Sequence, residues 1–234
     1  RAIRAEKKVI AQLVADGKIH GIVSDNRFGV RHNDVPSVFV THQLRVLSGN
    51  TTIVSSRLHQ KIISKFDVCW VPDVDGPINL SGKLGHITNH TLPVRYIGPL
   101  SRMKHRELPT TYDVLCLLSG PEPQRSLLEK RLRKVFESSQ KNIALVQGIV
   151  SEQKTVETAG NITTYNYLNT TSLEEVINKS SMVVSRSGYT TIMDIAVMGK
   201  PAFFIPTPGQ YEQEYLAKKF KKEGKSKNWK ENDV

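Results

Sequence analysis

The residues best suited to chemistry lie in one run, Val183-Val-Ser-Arg-Ser-Gly-Tyr-Thr-Thr-Ile-Met-Asp194. An apolar strand signal passes straight into a helix signal through Arg186-Ser187-Gly188. Glycine removes the Cβ that would keep a ligand off the backbone. The amides of the first helical turn, Tyr189 to Thr191, then face outward with the positive end of the helix dipole, which suits an anion. Arg186 is expected to add a full charge, and Ser187 and Thr190 hydroxyl donors, so the run predicts a diphosphate cradle. Asp194 lies about 9 Å further along the helix at about 1.5 Å per residue, a reach that suits a ribose diol. Ser187 also reads as an ordinary N-cap, and Asp194 as an exposed helix residue.

The elements that must hold this run are legible around it. Strand and helix signals alternate, and the strands are continuous apolar runs such as Asp113 to Leu118 and Ala202 to Ile205. That pattern marks parallel sheets covered on both faces. It breaks at the charged, Pro109-containing stretch 101–111, read as a linker, and restarts beyond it, so two α/β units joined near 108 are expected. Ligands of such sheets bind beyond the carboxyl ends of strands. Ser172-Leu-Glu-Glu175 has the spacing of a capping box, and Gly199 sits where a helix C-cap glycine belongs. The chain opens at Arg1 inside an amphipathic helix, with Val9, Ile10, Leu13 and Val14 on one face, which predicts a partner surface and a chain cut from a longer one.

Composition narrows the function classes. The net charge of +11 suits anionic partners. Much of it sits at Lys218, Lys219, Lys221, Lys222, Lys225, Lys227 and Lys230, with no aromatic-lined basic strand or zinc spacing alongside. Nucleic acid is therefore not expected, which leaves a solvated helix end or attraction to acidic lipid. No run of about 18 apolar residues offers a membrane span. Cys69 and Cys116 lie in apolar runs and read as buried hydrophobes of a reduced, cytoplasmic protein. N-x-S/T triplets open at Asn50, Asn79, Asn89, Asn161, Asn169 and Asn178, and chance accounts for them in a chain rich in these residues.

The phosphate reading gains specificity from the residues beyond it: Gly199-Lys-Pro-Ala-Phe-Phe-Ile-Pro206, then Thr207-Pro-Gly-Gln-Tyr-Glu-Gln213-Glu214. Residues 182–217 resemble the C-terminal domain of glycosyltransferase family 28. That family reads Arg-Ser-Gly, a small residue, Thr, an acidic residue, Gly-x-Pro, an apolar strand, Pro and a Gln-rich helix start. The resemblance implies a GT-B fold, an α/β protein of two Rossmann-like domains with the first incomplete. Residues 1–108 would be a partial N-terminal acceptor-side domain, and 109–234 the C-terminal nucleotide-sugar-binding domain. It also implies a UDP-sugar or related donor. Arg186, Ser187, Gly188, Thr190 and Thr191 would sit at the diphosphate, Asp194 on the ribose hydroxyls, and Gln213 and Glu214 at the donor sugar.

Weaker similarity extends outward. In Ser119-Gly-Pro-Glu-Pro-Gln-Arg125, Gly120 stands where the family has a glycine-rich phosphate loop, while Pro121 and Pro123 remove amide donors. Pro36 to Gln43 looks like the family's acceptor-facing strand and loop, which makes His42 and Gln43 acceptor-side candidates. Asn26 and Arg27 occupy the place of its acceptor loop, where Arg27 is either a partner for an acidic acceptor or an exposed loop residue.

The reaction implied is sugar transfer from a nucleotide diphosphate donor to an acceptor hydroxyl, lipid-linked or acidic, with inversion. No His/Cys cluster of metal spacing occurs, and metal-independent chemistry with no cofactor beyond the nucleotide-sugar co-substrate is expected. The base is expected upstream of Arg1, with His42 a candidate helper. A nucleotide-sugar hydrolase or 2-epimerase on the same fold, and a non-catalytic nucleotide-binding fragment, are the alternatives. The expected location is cytoplasmic, with peripheral contact at the inner membrane face.

Overall fold

A computed structural model describes residues 2–88, 91–224 and 226–228, so Asn89, Lys225 and Lys230 lie outside the described residues. The chain divides into two compact units, Arg1–Leu100 and Ser101–Val234.

The first unit runs α1 (Ala2–Ala15), β1 (Ile22–Asp25), β2 (Ser37–Val40), α2 (Thr52–Ile63), β3 (Val68–Val71) and β4 (Val94–Tyr96). Its strands form one parallel sheet in the order β1-β2-β3-β4. Ser56, His59 and Ile63 recur at helical spacing and turn one face of α2 inward. The core is Phe39, Leu44, Ile63, Phe66, Cys69 and Val71. Helix α1 buries no residue, yet it crosses close to the loop after β1. A Cβ on Gly29 would lie 2.7 Å from the Ile3 carbonyl, so only glycine fits that crossing.

The stretch after β3 is organised by one buried carboxylate. Asp73 accepts bonds from the amides of Val74, Leu80 and Ser81 and from the Ser81 hydroxyl. Burial alone would raise its carboxyl, but these four donors outweigh it and hold Asp73 below the usual carboxylate range.

The second unit runs β5 (Tyr112–Leu117), α3 (Gln124–Glu137), β6 (Ile143–Val146), β7 (Val156–Ala159), β8 (Ile162–Tyr165) and α4 (Thr170–Asn178). It continues with β9 (Ser180–Ser185), α5 (Tyr189–Met198), β10 (Ala202–Phe204), α6 (Tyr211–Lys222) and β11 (Ser226–Asn228). Its sheet order is β11-β10-β9-β5-β6-β8-β7. Every pairing is parallel except β7 with β8. All four residues of β6 are buried, which explains its unbroken apolar sequence. Leu128 and Leu132 of α3 pack on Val114, Cys116, Ile143, Leu145 and Val184.

Four local readings are corrected. The stretch 101–111 is not a free linker: His105 bonds the Met198 carbonyl, and the amides of Lys104 and Arg106 donate to Glu174 and Asn178. Helix α4 is capped by Asn169, whose side chain accepts from Ser172 N, rather than by a Ser172–Glu175 box, because Asn169 holds the extended backbone of a cap. Strand β7 adds an antiparallel edge to an otherwise parallel sheet. Strand β11 comes after the lysine-rich helix. The triplet asparagines 79, 161, 169 and 178 all use their side chains as internal pins.

Candidate functional site

Strand β5 has β6 on one side and β9 on the other, so the chain reverses its winding between β5 and β9. In open α/β sheets the crevice at that reversal, beyond the carboxyl ends, is where ligands bind. Leu117 of β5 pairs with Ser185 of β9. The two segments that leave this edge are Leu118-Ser119-Gly120 and Arg186-Ser187-Gly188. A Cβ on either Gly120 or Gly188 would meet nothing within 4 Å. Both glycines therefore face open space at the crevice.

Gly188 is the N-cap of α5, with extended backbone and no side-chain cap. Ser187 is thus not the cap. The first bond of the helix runs from Ile192 N to Gly188 O, at 3.0 Å. The amides of Thr190 and Thr191 come before it, in the turn no helix carbonyl serves. Thr190 is exposed and Thr191 half-buried. Gly199 closes the helix in the left-handed conformation, at φ 62°.

Arg186 departs most from expectation. It is 2% exposed. Its Nη1 donates to the carbonyls of Ile205 and Pro206, both at 3.2 Å, and its Nη2 to that of Gln124 at 3.0 Å. The guanidinium therefore ties the ends of β9 and β10 to the start of α3, and does not project into the crevice as a phosphate ligand. The next residue continues the brace. Ser187 is fully buried and its hydroxyl donates to Gln213 O, at 2.8 Å.

Gln213 and Glu214 open α6 and hold the loop before it. Gln213 Oε1 accepts from Thr207 N at 2.8 Å, and Glu214 Oε1 from Gly209 N at 3.1 Å. Asp194, half-buried on α5, accepts from the Ser101 hydroxyl at 2.7 Å, and Ser101 Oγ in turn accepts from Met103 N. Sequence reasoning missed Ser101 because it falls in the supposed linker. Arg125, in the first turn of α3, is paired with Glu122 and Glu129. Among the described residues no group of three or more His, Cys, Asp or Glu side chains could hold a metal ion.

In the first unit, Asn26 takes a left-handed φ of 52° and its amide bonds the Val40 carbonyl. Arg27 is exposed but ion-paired to Glu6 at 2.6 Å, which sets its guanidinium against α1. His42 and Gln43 are half-buried just beyond the carboxyl end of β2. These four residues share the loop edge of the first sheet.

Set beside known proteins, residues 119–234 match the glycosyltransferase family 28 C-terminal domain. The chain is 26% identical over 183 residues to the UDP-N-acetylglucosamine–N-acetylmuramyl-(pentapeptide) pyrophosphoryl-undecaprenol N-acetylglucosamine transferase of Buchnera aphidicola subsp. Schizaphis graminum. That match covers 76% of this chain and 48% of the relative, so the chain spans about half the relative's length. The glycotransferase of kitacinnamycin shares the fold, with a TM-score of 0.68 at 16% identity over 100% of this chain and 68% of that one. So does a Listeria monocytogenes protein assigned as a UDP-N-acetylglucosamine 2-epimerase, with a TM-score of 0.55 at 12% identity over 86% of this chain and 60% of that one.

Proposed function

We propose, from the premise that residues 119–234 belong to the glycosyltransferase family 28 C-terminal domain, that the chain binds a UDP-sugar and serves its transfer to an acceptor hydroxyl. The observation that carries this reading is the uncapped start of α5 at Gly188, open beside Gly120 where the sheet reverses its winding. As the anomeric bond breaks, charge grows on the departing diphosphate. Preorganised amides at a helix start stabilise such charge without reorganising. Thr190 and Thr191 lie at that turn, and Asp194 is the carboxylate for the ribose diol, a role in which the diol would displace the Ser101 hydroxyl. Gln213 and Glu214 brace the 207–210 loop and would present it to the donor sugar.

Arg186 acts in this scheme as a positioning residue. It aligns the segments after β9 and β10 with α3 and does not touch phosphate. Inversion without a metal is the chemistry proposed, with His42, Gln43, Asn26 and Arg27 on the acceptor side. The named Buchnera relative acts on a lipid-linked acceptor, and an acceptor of that class is proposed here. On α2, Ile53, Val54 and Leu58 are 64%, 71% and 62% exposed, interleaved with Arg57 and followed by Lys61, which supports peripheral contact with an anionic membrane. No described helix is long and apolar enough to cross one.

The test is calorimetric titration with UDP and UDP-sugars of the chain and its Asp194→Ala variant. Loss of at least about tenfold in affinity, roughly 1.4 kcal/mol, is expected, and unchanged affinity overturns the donor assignment. A second reading, 2-epimerase or hydrolase chemistry, draws on the fold shared with the Listeria protein. Conversion of UDP-N-acetylglucosamine with no acceptor present would favour it.

A further inference from the structure

The connection from β6 to β8 carries no helix. Parallel neighbours are usually joined through one that covers the sheet face, but here the intervening chain forms β7, which pairs antiparallel on the outer edge. Beside this hairpin, along α4, a cavity of about 330 Å³ is left open. It is bounded by the β7–β8 edge, α4 and the start of β5, and none of its lining residues belongs to the Gly120–Gly188 crevice.

Its lining has a definite chemistry. The Tyr112 and Tyr165 hydroxyls stand 2.7 Å apart, so one proton lies between them and the pair still offers an outward donor and acceptor. Burial, and then the bond to Tyr112, push the Tyr165 phenol up, so Tyr165 stays neutral. The Lys179 ammonium is matched by Glu175, which accepts its hydrogen bond. Lys154 sits 5.9 Å from the Tyr167 ring centroid and makes no ion pair among the described residues. Thr111, Thr155 and Ser172 add hydroxyl-bearing side chains to the lining, and Val156, Leu168 and Val176 give it an apolar floor. The balance is one unmatched positive charge amid hydroxyl donors and acceptors and an aromatic wall.

We propose that this cavity binds a monosaccharide-sized polyol bearing a single anionic group, a hexuronate or a hexose phosphate, at a site separate from the donor crevice. It does not depend on the glycosyltransferase reading. The test is amide-detected magnetic resonance titration of the full chain with glucuronate, glucose 6-phosphate, glucose and UDP. Either anionic sugar, or both, should shift amides of α4 and residues 154–168, with glucose at least about tenfold weaker. The preference between glucuronate and the phosphate identifies the anionic group. Lys154→Ala should lower the affinity for the anionic sugar at least about tenfold, and Tyr165→Phe should lower it while the melting temperature falls by no more than about 4 °C, the loss of one hydroxyl bond. No shift at millimolar ligand, affinity unmoved by Lys154→Ala, or UDP shifting the same residues overturns the proposal.

Discussion

Replacement of Arg186 separates a brace from a phosphate ligand. The Arg186→Met side chain is close in length and apolar, and it leaves the carbonyls of Gln124, Ile205 and Pro206 without their guanidinium donors. Arg186 is 2% exposed, so water does not readily replace those donors. The Gln124 carbonyl keeps its bond within α3, so at about 1 kcal/mol for each of the two orphaned carbonyls the loss is about 2 kcal/mol, with about 5 kcal/mol the practical ceiling for one substitution. With a urea slope of about 2 kcal/mol per M, the midpoint of the second unit should fall by about 1 M. Because two units can unfold separately, the readout is hydrogen exchange of the β9 and β10 amides in urea. UDP affinity is measured alongside, well below the transition. A variant of unchanged stability that loses UDP binding would mean that the guanidinium meets phosphate, and would refute the bracing role.

Further predictions concern single contacts. Gly188→Ala meets no steric conflict, since its φ is −70° and the added methyl meets nothing within 4 Å. Stability should therefore stay within about 1 kcal/mol, while UDP affinity measured by calorimetry falls at least about tenfold; full affinity would place the phosphates elsewhere. Asp73→Asn should destabilise the first unit by about 2–4 kcal/mol at neutral pH, because an amide cannot accept from four donors at once. The carboxyl is depressed when folded, so its contribution is complete above the unfolded value of about 3.9 and is lost as pH falls through the lower folded value. The gap between wild type and Asp73→Asn in denaturant titrations should thus be flat from about pH 5 upward and close in acid, and a constant gap contradicts the assignment. Asn169→Ala should cost about 1 kcal/mol and Ser172→Ala less than about 0.5 kcal/mol by thermal melting, and the reverse order would restore Ser172 as the cap.

The features legible in the sequence obey local rules. The buried run of β6, the strand-to-helix passage at Gly188 and the left-handed Gly199 each depend on a few adjacent residues, and residues 182–217 sufficed to suggest the family that 119–234 match. The fate of Arg186 was not legible, because its partners are backbone carbonyls as far as Gln124, and a carbonyl leaves no mark in the sequence. Asp194 and Ser101 likewise meet across most of the second unit. Strand β7 escaped notice because all four of its residues are exposed at a sheet edge, where no apolar pattern is required. Ser172 has the spacing of a cap in the sequence, but the extended backbone that a cap requires falls at Asn169.

The commitment of Arg186 and Arg125 has a consequence for how a nucleotide would be chosen. Arg186 is occupied by carbonyls and Arg125 by Glu122 and Glu129, so neither brings a mobile full charge to a bound diphosphate. Attraction would then come from fixed partial charges on amides, which act within about one helical turn. Few counterions would be displaced on binding, and the affinity should respond only shallowly to ionic strength. Discrimination would fall to the directions of hydrogen bonds, so a polyphosphate of the right charge but the wrong shape should compete poorly.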